Sequence, residues 1–212
     1  MNNRTYLSYG TVILFCLVLI ASLYMMNWYL ILICLVYGVL AFLFYRRKNF
    51  ISVKENNDIV FSPIFGKVIK VGGGADIGKR YADFNFIDLR HALFEDIGIF
   101  FPFSSEFSFH RKIKGNRLFL PLKKLPKNEK NLHQEIVLIK ESSELFFIKL
   151  YSTFVSSQAI IFPTSGDYGY LGAQFGVFSG AGIVRFFIPK KYSILCQEGQ
   201  KVTPGNNILA KK

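Results

Sequence analysis

Polar and apolar residues follow two different patterns along this chain, and the change falls near residue 48. Before it, no charged residue stands between Arg4 and Arg46. Residues 9–45 as one helix would be about 55 Å long, against a hydrocarbon core of about 30 Å. The pattern therefore predicts two apolar spans, near residues 9–26 and 28–45. The turn falls around Met25-Met26-Asn27-Trp28, where Asn27 is strongly polar and Trp28 suits an interface. A signal peptide is the competing reading of the first span, but the second apolar run follows with no room for a cleavage site and a mature loop. Arg4 precedes the first span and Arg46-Arg47-Lys48 follow the second, which by the positive-inside rule puts both ends in the cytoplasm. The expectation is a transmembrane helical hairpin over residues 1–48, carrying a cytoplasmic domain over residues 49–212.

From Ile51 onward short apolar runs recur at residues 59–61, 67–71, 97–103, 118–122, 136–139, 145–151 and 183–188, separated by Gly, Asn, Asp or Pro. No stretch sustains a 3.6-residue period. This predicts an all-β or β-dominated domain of short strands. The end of the chain, from Glu198 to Ala210, shows a Gly turn, a short extended stretch and a second Gly turn. Such an end resembles barrel-sandwich hybrid domains of the biotinyl and lipoyl type, so the expected architecture is barrel-sandwich-hybrid-like. No modifiable lysine stands in a matching hairpin motif.

Composition narrows the partners. With 212 residues, 51% of them hydrophobic, there is room for a membrane segment and one domain with its own core. The 23 Phe and 11 Tyr favour an aromatic-filled β core. A formal charge of +12 argues for an anionic partner, either nucleic acid or a membrane surface. Between residues 111 and 130 stand Arg111, Lys112, Lys114, Arg117, Lys123, Lys124, Lys127 and Lys130 against the single acid Glu129. Beside an apolar hairpin such a cluster favours anionic headgroups, at about 1 kcal/mol per basic residue near the surface. No aromatic-basic motif of a nucleic-acid module accompanies it. Cys16, Cys34 and Cys196 lack metal-ligand spacing and make no disulfide framework. His91, His110 and His133 sit in no metal motif, so no metal is expected.

Residues 172–189 read Gly-Ala-Gln-Phe-Gly-Val-Phe-Ser-Gly-Ala-Gly-Ile-Val-Arg-Phe-Phe-Ile-Pro. The second half is β-branched and aromatic, hence a strand, and small residues lead into it. Without a gap, the stretch resembles the self-cleavage segment of the short bacterial phosphatidylserine decarboxylases, G-E-R-F-G-M-I-R-F-G-S-R-V-D-L-Y-L-P. Ser62-Pro63-Ile64-Phe65-Gly66-Lys67-Val68 resembles that family's S-P-A-D-G-K-V, and Asn128-Glu129-Lys130-Asn131 its N-E-R-N. The apolar N-terminus followed by Arg-Arg and the C-terminal Gly turns match it in spacing. Together these features span nearly the whole chain, and the resemblance implies a bacterial inner (cytoplasmic) membrane setting.

The departures fall on the chemistry. In the family the chain breaks at the Gly-Ser step, and the Ser becomes an N-terminal pyruvoyl group. Here the Ser position is Gly182, preceded by Ala181. The family activates that Ser with an Asp and a His. The Asp position is Phe65, and the His position is Glu106 or Phe107 depending on a one-residue gap. With all three changed, no catalytic residue is assigned and no pyruvoyl cofactor is expected. The resemblance implies a phosphatidylserine decarboxylase-like protein that has lost its carboxy-lyase activity, acting in lipid-surface binding, as a homo-oligomer or as partner of an active paralogue. Two alternatives stay open: an active decarboxylase of phospholipid biosynthesis with unorthodox residues, and an unrelated membrane-anchored scaffold.

Overall fold

From residue 58 onward the apolar runs become strands because successive side chains alternate between two faces. The computed structural model describes residues 15–20, 24, 28–45, 58–93, 95–118, 125, 131, 133–140 and 143–212. The chain divides into two units, Met1–Lys48 and Asn49–Lys212. The described strands of the second unit are β1 (Ile59–Phe61), β2 (Gly66–Gly73), β3 (Phe84–His91), β4 (Gly98–Phe100), β5 (Ser105–Ile113), β6 (His133–Lys140), β7 (Glu144–Ser152), β8 (Ile160–Ile161), β9 (Tyr168–Gly169), β10 (Gln174–Val177), β11 (Gly182–Pro189), β12 (Ser193–Ile194), β13 (Lys201–Val202) and β14 (Ile208–Lys211). Eight of them form one sheet in the order β13-β2-β3-β11-β7-β6-β5-β9, and β1-β14-β12 and β4-β10-β8 form two three-stranded sheets.

Strand β11 lies at the middle of the large sheet and shows why it holds. Val184, Phe186 and Ile188 face inward and join Ile87, Leu89, Ile136, Leu138, Ile148 and Leu150 in the main core. Burying each such side chain contributes about 1.5–3 kcal/mol. The alternate residues face outward but are covered too. Phe187 packs with Tyr81, Phe86, Val137 and Phe147, and Ile183 with Leu118 and Tyr151. A strand buried on both faces loses its alternation and reads as a nearly continuous apolar run, as residues 183–188 do apart from Arg185. The cover over Phe187 comes from the segment between β2 and β3, which forms two short 3-10 turns, Gly74–Asp76 and Lys79–Tyr81.

The β-dominated domain fits expectation, but two parts of the predicted fold are corrected. In the first unit residues 15–20 are helical and a helix α1 runs Trp28–Tyr45, with the Phe15 ring stacked on Tyr37. Among the described residues no helix is long and apolar enough to cross a membrane. The transmembrane hairpin is therefore not supported. The two-span inner-membrane placement falls with it, as does the cytoplasmic orientation of residues 49–212 read from it. Residues 25–27, Arg4 and residues 46–48 lie outside the described residues. The barrel-sandwich expectation is corrected as well. It rested on the C-terminal Gly turns, and the two strands they delimit part company: β13 pairs with β2 in the large sheet, while β14 pairs with β1 and β12 in a small one.

Candidate functional site

Gly182 opens β11, where the chain turns out of the Gly180 bend, whose φ of +85° suits glycine. It pairs with His91 on β3 and with Ser152 on β7. A Cβ built on Gly182 would run into the Phe178 ring and stand 2.8 Å from the Tyr151 carbonyl oxygen. Phe178 is 1% exposed, so it cannot swing away into solvent. The position the family gives to its nucleophile therefore lacks both a hydroxyl and the room for one.

Phe65 comes close to this position, through its backbone. Its carbonyl oxygen lies 3.0 Å from Nδ1 of His91. A carbonyl only accepts, so Nδ1 carries the proton and Nε2 carries the lone pair. His91 is 1% exposed, and its Nε2 is buried without a hydrogen-bond partner among the described residues. Burial lowers the His91 pKa below its ordinary 6.5, with the Phe65 carbonyl, Glu95 and Asp96 offsetting part of that. The result is a neutral imidazole beside a residue that has no proton to give. Thr153 donates its hydroxyl to the Ala181 carbonyl at 2.7 Å, and Ser179 shares a 2.6 Å hydrogen bond with Ser157. These hydroxyls are engaged in holding the turn.

Glu106 and Phe107 are not brought to Gly182. Both lie on β5; Glu106 is exposed and Phe107 is in the core. Glu106 pairs with Ile139, which pairs with Leu145 on β7. Gly182 pairs with Ser152 on the same strand. Seven residues of strand separate the two levels, about 23 Å at roughly 3.3 Å per residue. His110 is a half-buried residue of β5. Burial lowers its pKa, Lys112 lowers it further, and Gln134 partly offsets both.

Of the basic cluster, Arg111 and Lys112 sit on β5, while Lys114 and Arg117 follow it, exposed. Lys123, Lys124, Lys127 and Lys130 lie outside the described residues. Arg111 is half spoken for, because its guanidinium pairs with Glu135.

The large sheet carries a feature the sequence reading missed. One rank of residues in register across five strands is charged: Asp88 on β3, Arg185 on β11, Lys149 on β7, Glu135 on β6 and Arg111 on β5. Arg185 grips Asp88 with two hydrogen bonds, Nε to Oδ1 at 2.7 Å and Nη2 to Oδ2 at 2.8 Å, both residues being buried. Lys149 is buried with its Nζ 4.6 Å from the centre of the Tyr81 ring. Glu135 accepts from the Tyr81 hydroxyl at 2.9 Å and stands 3.6 Å from Arg80. Burial alone would raise the Glu135 carboxyl, but Tyr81, Arg111, Arg80 and Lys149 outweigh it and hold the pKa below the ordinary 4.5. Glu135 and Lys149 fasten the 3-10 segment to the outer face of the sheet through Tyr81 and Arg80, while Arg185 and Asp88 tie β11 to β3. The rank's signal in the sequence was Arg185, the lone charge in β11, and Lys149 inside the apolar run of residues 145–151.

At the far end of β7, Glu144 accepts from Lys191 at 2.5 Å, Tyr192 at 2.6 Å and Lys212 at 3.1 Å. Burial would raise its pKa, yet these donors pull it down to about 2. Among the described residues no group of three His, Cys, Asp or Glu could hold a metal ion. No protein-family model, curated protein or solved structure matches the chain.

Proposed function

We propose that residues 49–212 form a phosphatidylserine decarboxylase-like domain without pyruvoyl catalysis, which works at anionic phospholipid surfaces, alone, as a homo-oligomer or beside an active paralogue. The observation that carries this reading is the state of Gly182. Pyruvoyl chemistry needs a Ser-derived carbonyl at a new N-terminus, and here the position offers neither an oxygen nor the space for one beside Phe178 and the Tyr151 carbonyl. The lipid half of the reading is supported by the formal charge of +12 and by the exposed Lys112, Lys114 and Arg117 at one edge of the large sheet.

The full chain, mixed with vesicles containing phosphatidylserine, is expected to leave the headgroup intact. It is expected to float with those vesicles at about 0.05 M salt and to release them as salt rises toward about 0.5 M. Conversion of phosphatidylserine to phosphatidylethanolamine would contradict the first half. Equal affinity for neutral and anionic vesicles would contradict the second and favour a scaffold.

A further inference from the structure

We propose that the turn at residues 153–156 is an insertion tip, which seats the domain on an anionic bilayer by placing Phe154 and Val155 among the acyl chains below the headgroups. This inference rests on the lipid-surface reading above and names the part of the molecule that makes contact.

The polarity of this turn is inverted. Thr153 is 0% and Ser156 5% exposed, whereas Phe154 is 59% and Val155 49% exposed. The buried hydroxyls build the turn: the Thr153 amide donates to Ser156 Oγ at 2.7 Å, the Ser156 amide to the Thr153 carbonyl at 3.3 Å, and the Val155 amide to Thr153 Oγ1 at 3.3 Å. Thr153 Oγ1 then donates to the Ala181 carbonyl. Gly180 lies underneath, so close that a Cβ there would meet the Val155 carbonyl oxygen. The turn is thus pinned from below while two apolar side chains point outward. An isolated exposed apolar residue needs no explanation, but a braced pair does. Ile160 on β8 and Phe162 just after it are exposed as well, 63% and 55%, while Ile161 between them packs against the core.

Charge complementarity selects the occupant. Leu118 donates to the Ser152 carbonyl, and its own carbonyl accepts from Phe154, so Arg117 stands one residue from the tip. Lys112 pairs across β5 and β6 with Gln134, whose amide donates to the Ala159 carbonyl beside Ile160. Exposed cations flanking an apolar tip match a bilayer whose anionic headgroups lie just above its acyl chains. A purely apolar protein partner would leave Lys112, Lys114 and Arg117 unanswered.

The test uses the full chain and vesicles of phosphatidylcholine with phosphatidylglycerol. The double variant Phe154→Ser/Val155→Ser is expected to bind about tenfold more weakly or worse, with an unchanged circular dichroism spectrum. Leu195→Ser, which removes an apolar side chain 53% exposed elsewhere on the surface, is expected to bind like the wild type. In a Trp28→Phe background, Phe154→Trp should shift its emission to the blue on anionic vesicles and be quenched by brominated acyl chains. Wild-type binding undiminished in the double variant, or unquenched emission from bound Phe154→Trp protein, would overturn the insertion tip and leave the lipid-surface reading standing. Failure of the wild type itself to bind would overturn both. A dimer in solution lost only in the double variant, without change in vesicle binding, would assign the tip to a second copy and also overturn the proposal.

Discussion

Serine at position 182 would supply a hydroxyl but not the surroundings it needs. Its Cβ must displace the buried Phe178 ring or the Tyr151 backbone, and overpacking of this kind costs about 1–3 kcal/mol. Gly182→Ser is therefore expected to lower the urea midpoint and to leave the chain uncut, since Phe65 supplies only a carbonyl and Glu106 lies at another level of the sheet. A Gly182→Ser chain that splits before residue 182 would contradict this. His91 carries a pH prediction. Its folded pKa is below 6.5, so the unfolded chain takes up the proton first as pH falls. Stability is full above about pH 6.5 and declines below it, until the folded pKa is reached. His110 adds to the same slope. Glu135 and Glu144 are lowered from 4.5, so their contributions are present above about pH 4.5 and lost beneath it. Thermal melts should show His91→Gln with a flatter profile between pH 7 and 5 than the wild type; equal slopes would remove His91 from the account.

At the scale of the element, the charged rank across β3, β11, β7, β6 and β5 makes the next prediction. Asp88→Asn leaves Arg185 buried without its anion, which costs about 3–5 kcal/mol by urea unfolding, while Asp88→Leu/Arg185→Met together recovers much of that loss. A cost for Asp88→Asn as small as that of an exposed pair, roughly 1 kcal/mol or less, would show that the rank does not fasten the sheet. The same strands show what the sequence made legible. Residues 59–61, 136–139, 145–151 and 183–188 read as strands because, Lys149 and Arg185 apart, they are apolar throughout, and all lie within strands of the structure. The strand Phe84–His91 was missed because its polar Asn85, Asp88 and Arg90 broke the run; Asp88 is gripped by Arg185, 97 residues away. The strand Ser105–Ile113 was missed for a related reason: a bulge between Phe107 and Phe109 shifts its register and breaks the alternation. His91 could have been found, since it continues Ile87 and Leu89 on the apolar face of β3 at a spacing of two.

For the whole molecule, the charge-free N-terminal run suggested two membrane spans because hydropathy measures composition. The formed helix α1 is 18 residues long, and no described helix meets the length and apolarity of a span. Membrane contact in this account therefore rests on the Asn49–Lys212 unit, on its exposed cations and its inverted turn. The proposed function holds that this unit keeps the frame of a self-cleaving decarboxylase without its reactive residue. The intact mass of the purified full chain tests that most directly. The account predicts one species with the mass of all 212 residues and an ordinary N-terminus. Two fragments meeting at Ala181 and Gly182, or a new N-terminus that reacts with carbonyl reagents, would contradict it.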